Sequence, residues 1–140
     1  MGKILCATRG GQASHHTQDA AIALAQERGD ELVFLYVADI SFLNQMAAPV
    51  VVDVEARLEK MGRFQLAMAQ ERAEAQGIPA GALVRRGQLR AELAAAAREI
   101  GAELVVLGHP GVREAVFDET AIRALATALE QETGTEVRIV

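Results

Sequence analysis

The sequence of 140 residues holds one cysteine, three prolines, no tryptophan and only four phenylalanines and one tyrosine. A single Cys6 excludes an internal disulfide and a cysteine-built zinc cluster, and it fits a reducing, cytoplasmic setting. With Phe34, Tyr36, Phe42, Phe64 and Phe117 as the whole aromatic set, the core has to be aliphatic. Stacking platforms for single-stranded nucleic acid are correspondingly scarce. Basic residues are also in the minority: 14 Lys and Arg stand against 19 Asp and Glu, a net charge of −5. A phosphate backbone would be repelled on average, so no nucleic-acid partner is expected. No apolar run approaches the roughly 18 residues of a membrane-spanning helix, so no membrane partner is expected. The run from Met1 to Ala7 is too short for a secretion signal. Ser14 and Ser41 are the only serines, and neither sits in a Gly-x-Ser-x-Gly elbow, so hydrolase chemistry lacks a nucleophile.

What remains is 51% hydrophobic and 24% charged, a balance that predicts one compact domain over residues 1–140. Lys3 to Thr8 reads as a buried strand entering the turn Arg9-Gly10-Gly11. Ser14 is placed to cap the helix that follows, and Gly29 to stop it. Leu32 to Val37 is a second strand, followed by a connection over 39–49 without a clean period. From about Val51 to Gln76 the pattern is helical. Val54, Leu58, Met61 and Met68 form an expected inward stripe, and Glu55, Arg57, Glu59, Lys60 and Arg63 an expected solvated face. Gly77-Ile78-Pro79 ends that helix. Ala82 to Arg86 is a third strand, and Leu89, Leu93, Ala97 and Ile100 mark a third helix. Glu103 to Gly108 is a fourth strand, Ile122, Leu125 and Leu129 mark a fourth helix, and Glu136 to Val140 is a fifth strand. This alternation predicts an α/β fold with a parallel sheet covered by helices on both faces. Ligands in such a sheet bind beyond the carboxyl ends of the strands, where the strand order reverses. The turns after the first and fourth strands are therefore the candidate site.

Over essentially its whole length the chain resembles the universal stress protein family. The residues that carry the likeness are Thr8-Arg9-Gly10-Gly11-Gln12-Ala13-Ser14, Val37, and above all Val84-Arg85-Arg86-Gly87 leading to Ala102-Glu103-Leu104-Val105-Val106-Leu107-Gly108. The resemblance implies a five-stranded parallel sheet of order 3-2-1-4-5 with four helices, a homodimer, and a role in stress response. One branch of the family binds ATP through Gly, two residues, Gly, nine residues, then Gly-Ser or Gly-Thr. This chain keeps Gly108 and Gly111, but Ala121-Ile122 stands where the last pair should be. Those residues supply neither the close backbone approach of glycine nor a hydroxyl donor. Arg9 also stands where the family has an acidic residue. A unit-charge pair at about 4 Å and an effective dielectric near 20 is worth about 4 kcal/mol, so a divalent cation beside Arg9 is disfavoured.

Two readings follow. The first is a non-catalytic dimer that acts through protein association, with the terminal strand 136–140 as its pairing edge. Arg138 there either blunts the edge or meets Glu136 of the partner subunit. The second is a sensor that holds an adenine nucleotide or other anion without metal, through Thr8, Arg9, Gly10, Gly11, Val37, Gly108 and Gly111. Slow ATP hydrolysis would need the metal that Arg9 opposes. His15, His16, His109 and Arg113 are expected near the same site, where Arg113 either meets an anion or pairs with Glu114, Asp118 or Glu119. Adjacent His15 and His16 point about 100° apart on a helix and fit one metal poorly. Cys6 is expected to be an inert core thiol. Phe42 and Met46 are expected to cover core or to line a cleft.

Overall fold

A computed structural model describes residues 2–8, 12–39, 48–108 and 119–140. Their elements run β1 (Lys3–Ala7), α1 (Gln12–Arg28), β2 (Glu31–Ala38), α2 (Ala48–Ala75), β3 (Ala80–Arg86), α3 (Leu89–Ile100), β4 (Leu104–Leu107), α4 (Glu119–Thr133) and β5 (Glu136–Ile139). The five strands form one parallel sheet of order β3-β2-β1-β4-β5. β1 lies at its centre, with Cys6 level with Phe34 of β2 and Val106 of β4.

Both faces of the sheet are covered, which is why β1 and β4 read as unbroken apolar runs. Alternate residues feed two cores. Ile4, Cys6, Phe34, Tyr36, Leu104 and Val106 pack with Ala21 and Ile22 of α1 and with Leu66, Ala69 and Ala73 of α2. Leu5, Leu35, Val105 and Leu107 face Leu93 and Ala97 of α3 and Ile122, Leu125 and Leu129 of α4.

The long helix α2 departs from the expected stripe. Its buried line is Gly62, Leu66, Ala69 and Ala73, spaced four, three and four residues apart. Leu58 packs against the same core, but Met61 is 58% and Met68 39% exposed. Small residues take the inner line because the Tyr36 ring lies directly under Gly62, where a Cβ would overlap it. The face expected to be solvated is also partly tied down. Arg86 at the end of β3 bonds Glu55 at 2.8 Å and Glu59 at 2.9 Å, and Arg63 bonds Glu59 at 2.9 Å.

The stop after α2 is as expected. Gly77 has φ +80°, Ile78 N–H donates to Ala73 O at 2.9 Å and Gly77 N–H to Glu74 O at 2.9 Å. Ile78 then packs back on the core, completing the left-handed cap. Ser14, in contrast, does not precede α1. The helix already runs from Gln12, so Ser14 lies inside its first turn and is 8% exposed.

Candidate functional site

The strand order reverses at β1, whose neighbours β2 and β4 lie on either side of it, so the crevice of the fold opens beyond the carboxyl ends of β1 and β4. Thr8 ends the first of these strands. Its N–H donates to Leu35 O at 2.8 Å, which holds the chain in line with the sheet for one residue past β1. Gly108 ends the second. A Cβ at that position would collide with the Thr17 hydroxyl, so a glycine lets α1 settle onto the end of β4.

Around these two residues the core changes character. Thr8, Ser14, Thr17 and Gln18 are the buried polar residues of the described chain, at 3%, 8%, 3% and 2% exposure. Gln18 Nε2 donates to Thr8 Oγ1 at 2.9 Å, while Gln18 Oε1 has no hydrogen-bond partner among the described residues. A buried acceptor left in that state costs roughly 1–3 kcal/mol, which makes this corner the polar weak point of an otherwise aliphatic interior. The first half of α1 thus brings Thr8 and Gly108 together, one against Gln18 and the other against Thr17.

The remaining expected residues are placed differently. Val37 is half-buried, and its side chain packs on the opposite face of the sheet, against the α3–α4 core. Arg9, Gly10, Gly11 and Gly111 lie outside the described residues, as do Phe42, Met46, His109, Arg113, Glu114 and Asp118. His15 is half-buried and His16 exposed in the first turns of α1. Among the described residues no three His, Cys, Asp or Glu side chains gather as metal ligands. Cys6 is fully buried, and that burial pushes its thiol up to about 12, so it remains protonated at neutral pH.

Two features of this end of the sheet are missing from the sequence reading. Asp39, just past β2, accepts a hydrogen bond from the Leu89 N–H at 2.9 Å. The positive end of α3 is thereby occupied by the protein's own carboxylate. Thr17 and Gln18 are the other omission. Their signal was the inward helical line of Ser14, Gln18, Ala21 and Ala25, in which a polar residue takes an apolar position. A separate groove of about 510 Å³ lies between α1 and α2, lined by Ile22, Ala23 and Gln26 and bridged by Arg72 and Asp19 at 2.6 Å.

The described crevice offers hydroxyls, an amide and a glycine, but no nucleophile in contact with an acid–base partner. The model of the universal stress protein family matches residues 1–128. Universal stress protein YxiE of Bacillus subtilis is 28% identical over 120 residues, covering 80% of this chain and 81% of that protein. Among solved structures, universal stress protein UspA of Lactobacillus plantarum shares the fold with a TM-score of 0.82 at 18% identity, covering 99% of this chain and 97% of that one. A universal stress protein solved in complex with cAMP gives a TM-score of 0.65 at 20% identity, with 99% and 95% covered. From the 3-2-1-4-5 sheet and a family match running from the first strand through most of α4, the chain belongs to the universal stress protein family.

Proposed function

We propose that the protein is a non-catalytic homodimer that works through association with other proteins in a stress response, its two copies joined along β5. The observation that carries this reading is the open edge of that strand. β5 pairs with β4 on one side and ends the sheet on the other. Its outward side chains have a self-complementary order: Glu136 and Arg138 are exposed, while Val137 and Ile139 are half-buried against the α3–α4 core. A two-fold axis at Val137 would set Glu136 opposite Arg138 of the partner subunit, twice. The ion pair now made within one strand, at 3.0 Å, would then be exchanged between strands. An axis at Arg138 would instead oppose two like charges. Sedimentation equilibrium tests the register. Arg138→Glu weakens the dimer, and the double exchange Glu136→Arg/Arg138→Glu restores it. Failure of the double exchange to restore it would remove this interface.

A second function is favoured by the polar corner at Thr8, Thr17 and Gln18 and by the relative solved with cAMP. We propose that the crevice takes an adenine nucleotide without metal, held by Thr8, Arg9, Gly10, Gly11, Gly108 and Gly111, with Val37 contributing its main chain. Asp39 already occupies the α3 N-terminus, so a phosphate would be directed to α1 instead. Calorimetric titration with AMP, cAMP and ATP, with and without Mg²⁺, tests this. Binding that survives chelation and weakens in Arg9→Ala supports it. Failure of every nucleotide leaves association alone, and Mg²⁺-dependent turnover of ATP overturns the non-catalytic reading.

A further inference from the structure

We infer that Glu130 is a guard on the β5 edge, and that its carboxylate sets how tightly two copies of this chain associate. The inference rests on the self-pairing reading above and adds the residue that opposes it.

Backbone direction identifies the groups involved. Val140 N–H donates inward to Leu107 O at 2.8 Å. Main-chain groups alternate along a strand, so residues 136, 138 and 140 point toward β4, and those of 137 and 139 point to the open edge. Self-pairing about Val137 requires its N–H and C=O to be exchanged with the same residue of the second copy. A register shifted by one residue pairs Val137 with Ile139 and needs the same N–H. That donor is already engaged: Val137 N–H bonds Glu130 Oε1 at 3.2 Å. The next outward donor, Thr135 N–H, is held by Thr133 Oγ1 at 3.2 Å. Both acceptors come from the last turn of α4, folded over the strand that follows it.

The position of Glu130 is an independent observation. It lies in the last turn of α4, which holds no basic residue, at the helix end where the macrodipole disfavours a negative side chain. Helix stability alone would favour Lys or Arg there. The neighbouring Glu132 is engaged with Arg90 at 3.6 Å, whereas the Glu130 carboxylate is spent on the edge. Covering an exposed edge with a charged side chain is a known protection against uncontrolled strand pairing. Here the charge reaches the donor that both of these registers need. Two chains can pair in either only when both copies of Glu130 let go.

The test compares dimer dissociation constants by sedimentation equilibrium for the wild-type chain, Glu130→Ala, Glu130→Gln and Glu27→Ala. Glu27→Ala removes the same charge from an exposed position on α1. Because two guards leave per dimer, Glu130→Ala is expected to tighten association about tenfold. Glu130→Gln, whose amide oxygen still accepts from Val137, is expected to fall between, and Glu27→Ala to match the wild type. Val137→Pro, which removes the contested donor at an edge position, is expected to abolish the dimer, with circular dichroism reporting that the fold is kept. If Val137→Pro and Arg138→Glu both weaken the dimer while Glu130→Ala equals the wild type, pairing stands and the guard is overturned. If neither affects a stable dimer, the pairing reading itself falls. Equal tightening by Glu130→Ala and Glu27→Ala would assign the effect to net charge and overturn the guard as well.

Discussion

Gly108 and Thr17 meet where β4 ends against α1, so closely that a Cβ on the first would overlap the hydroxyl of the second. The glycine that the family pattern associates with nucleotide phosphates has, in this chain, a packing duty of its own. Gly108→Ala is therefore expected to destabilise the fold by about 1–3 kcal/mol through overpacking. Urea denaturation gives the value. In Gly108→Ala/Thr17→Ala the loss should be smaller than the sum of the single effects, because the colliding hydroxyl is gone.

The amide of Gln18 is half satisfied, and the two halves make opposite predictions. Gln18→Leu alone strips Thr8 Oγ1 of its donor and is expected to be neutral or slightly destabilising. Thr8→Val/Gln18→Leu removes both polar partners and the orphaned oxygen together, and is expected to be more stable than the single variant by about 1 kcal/mol. A double variant less stable than Gln18→Leu would mean that this corner is hydrated and satisfied. Urea midpoints for the three proteins decide between them.

The expected inward line of α2 shows why part of the fold was hidden in the sequence. Met61 and Met68 are the large apolar residues, so a hydrophobicity pattern selects them. The surface that meets the sheet is made by Gly62, Leu66, Ala69 and Ala73, because Phe34 and Tyr36 already fill the space beneath. Elements whose burial comes from dense aliphatic runs were legible. Helix α3 was marked by its end residues Leu89 and Ile100, β4 was read to within one residue at each end, and the stop at Gly77 was placed correctly. The candidate site was legible only in part. Thr8 and Gly108 lie at the strand ends where the sequence puts them, but Thr17, Gln18 and Asp39 act through contacts 10 to 91 residues distant in sequence, which no local pattern encodes.

Acid should disclose the Arg86 network. Hydrogen bonding to Arg86 holds the Glu59 carboxyl below its ordinary value of 4.5. A group with a lowered folded pKa stabilises the native state above its unfolded pKa, and loses that contribution as pH falls through the folded one. The melting temperature of Arg86→Ala is accordingly expected to lie below that of the wild type at pH 6. The gap should narrow as pH falls below about 4.5. Melting curves from pH 6 to pH 3 follow it; a constant gap would mean that Arg86 stabilises by packing alone.

Cys6 provides a clock for unfolding. With its thiol pushed up to about 12, only about one in ten thousand molecules would carry the thiolate at pH 8, in a side chain with no access to solvent. Alkylation by iodoacetamide is expected to be negligible in the native protein and to appear with the urea transition. Rapid labelling without denaturant would show that β1 opens locally.

The two cores are not interchangeable, and β2 carries the key that tells them apart. Its rings, Phe34 and Tyr36, point to the side where α1 and α2 present Ala21, Ala25, Gly62, Ala69 and Ala73, while Leu35 points to the leucine-rich side. A slip of β2 by one residue would drive both rings into a layer already filled by Leu93, Leu125 and Leu129, and leave hollows above the alanines. The strand beside central β1 is thus seated by shape, as a plug fits only one way into its socket. The chain achieves this orientation with two aromatic side chains, which explains how so few can suffice.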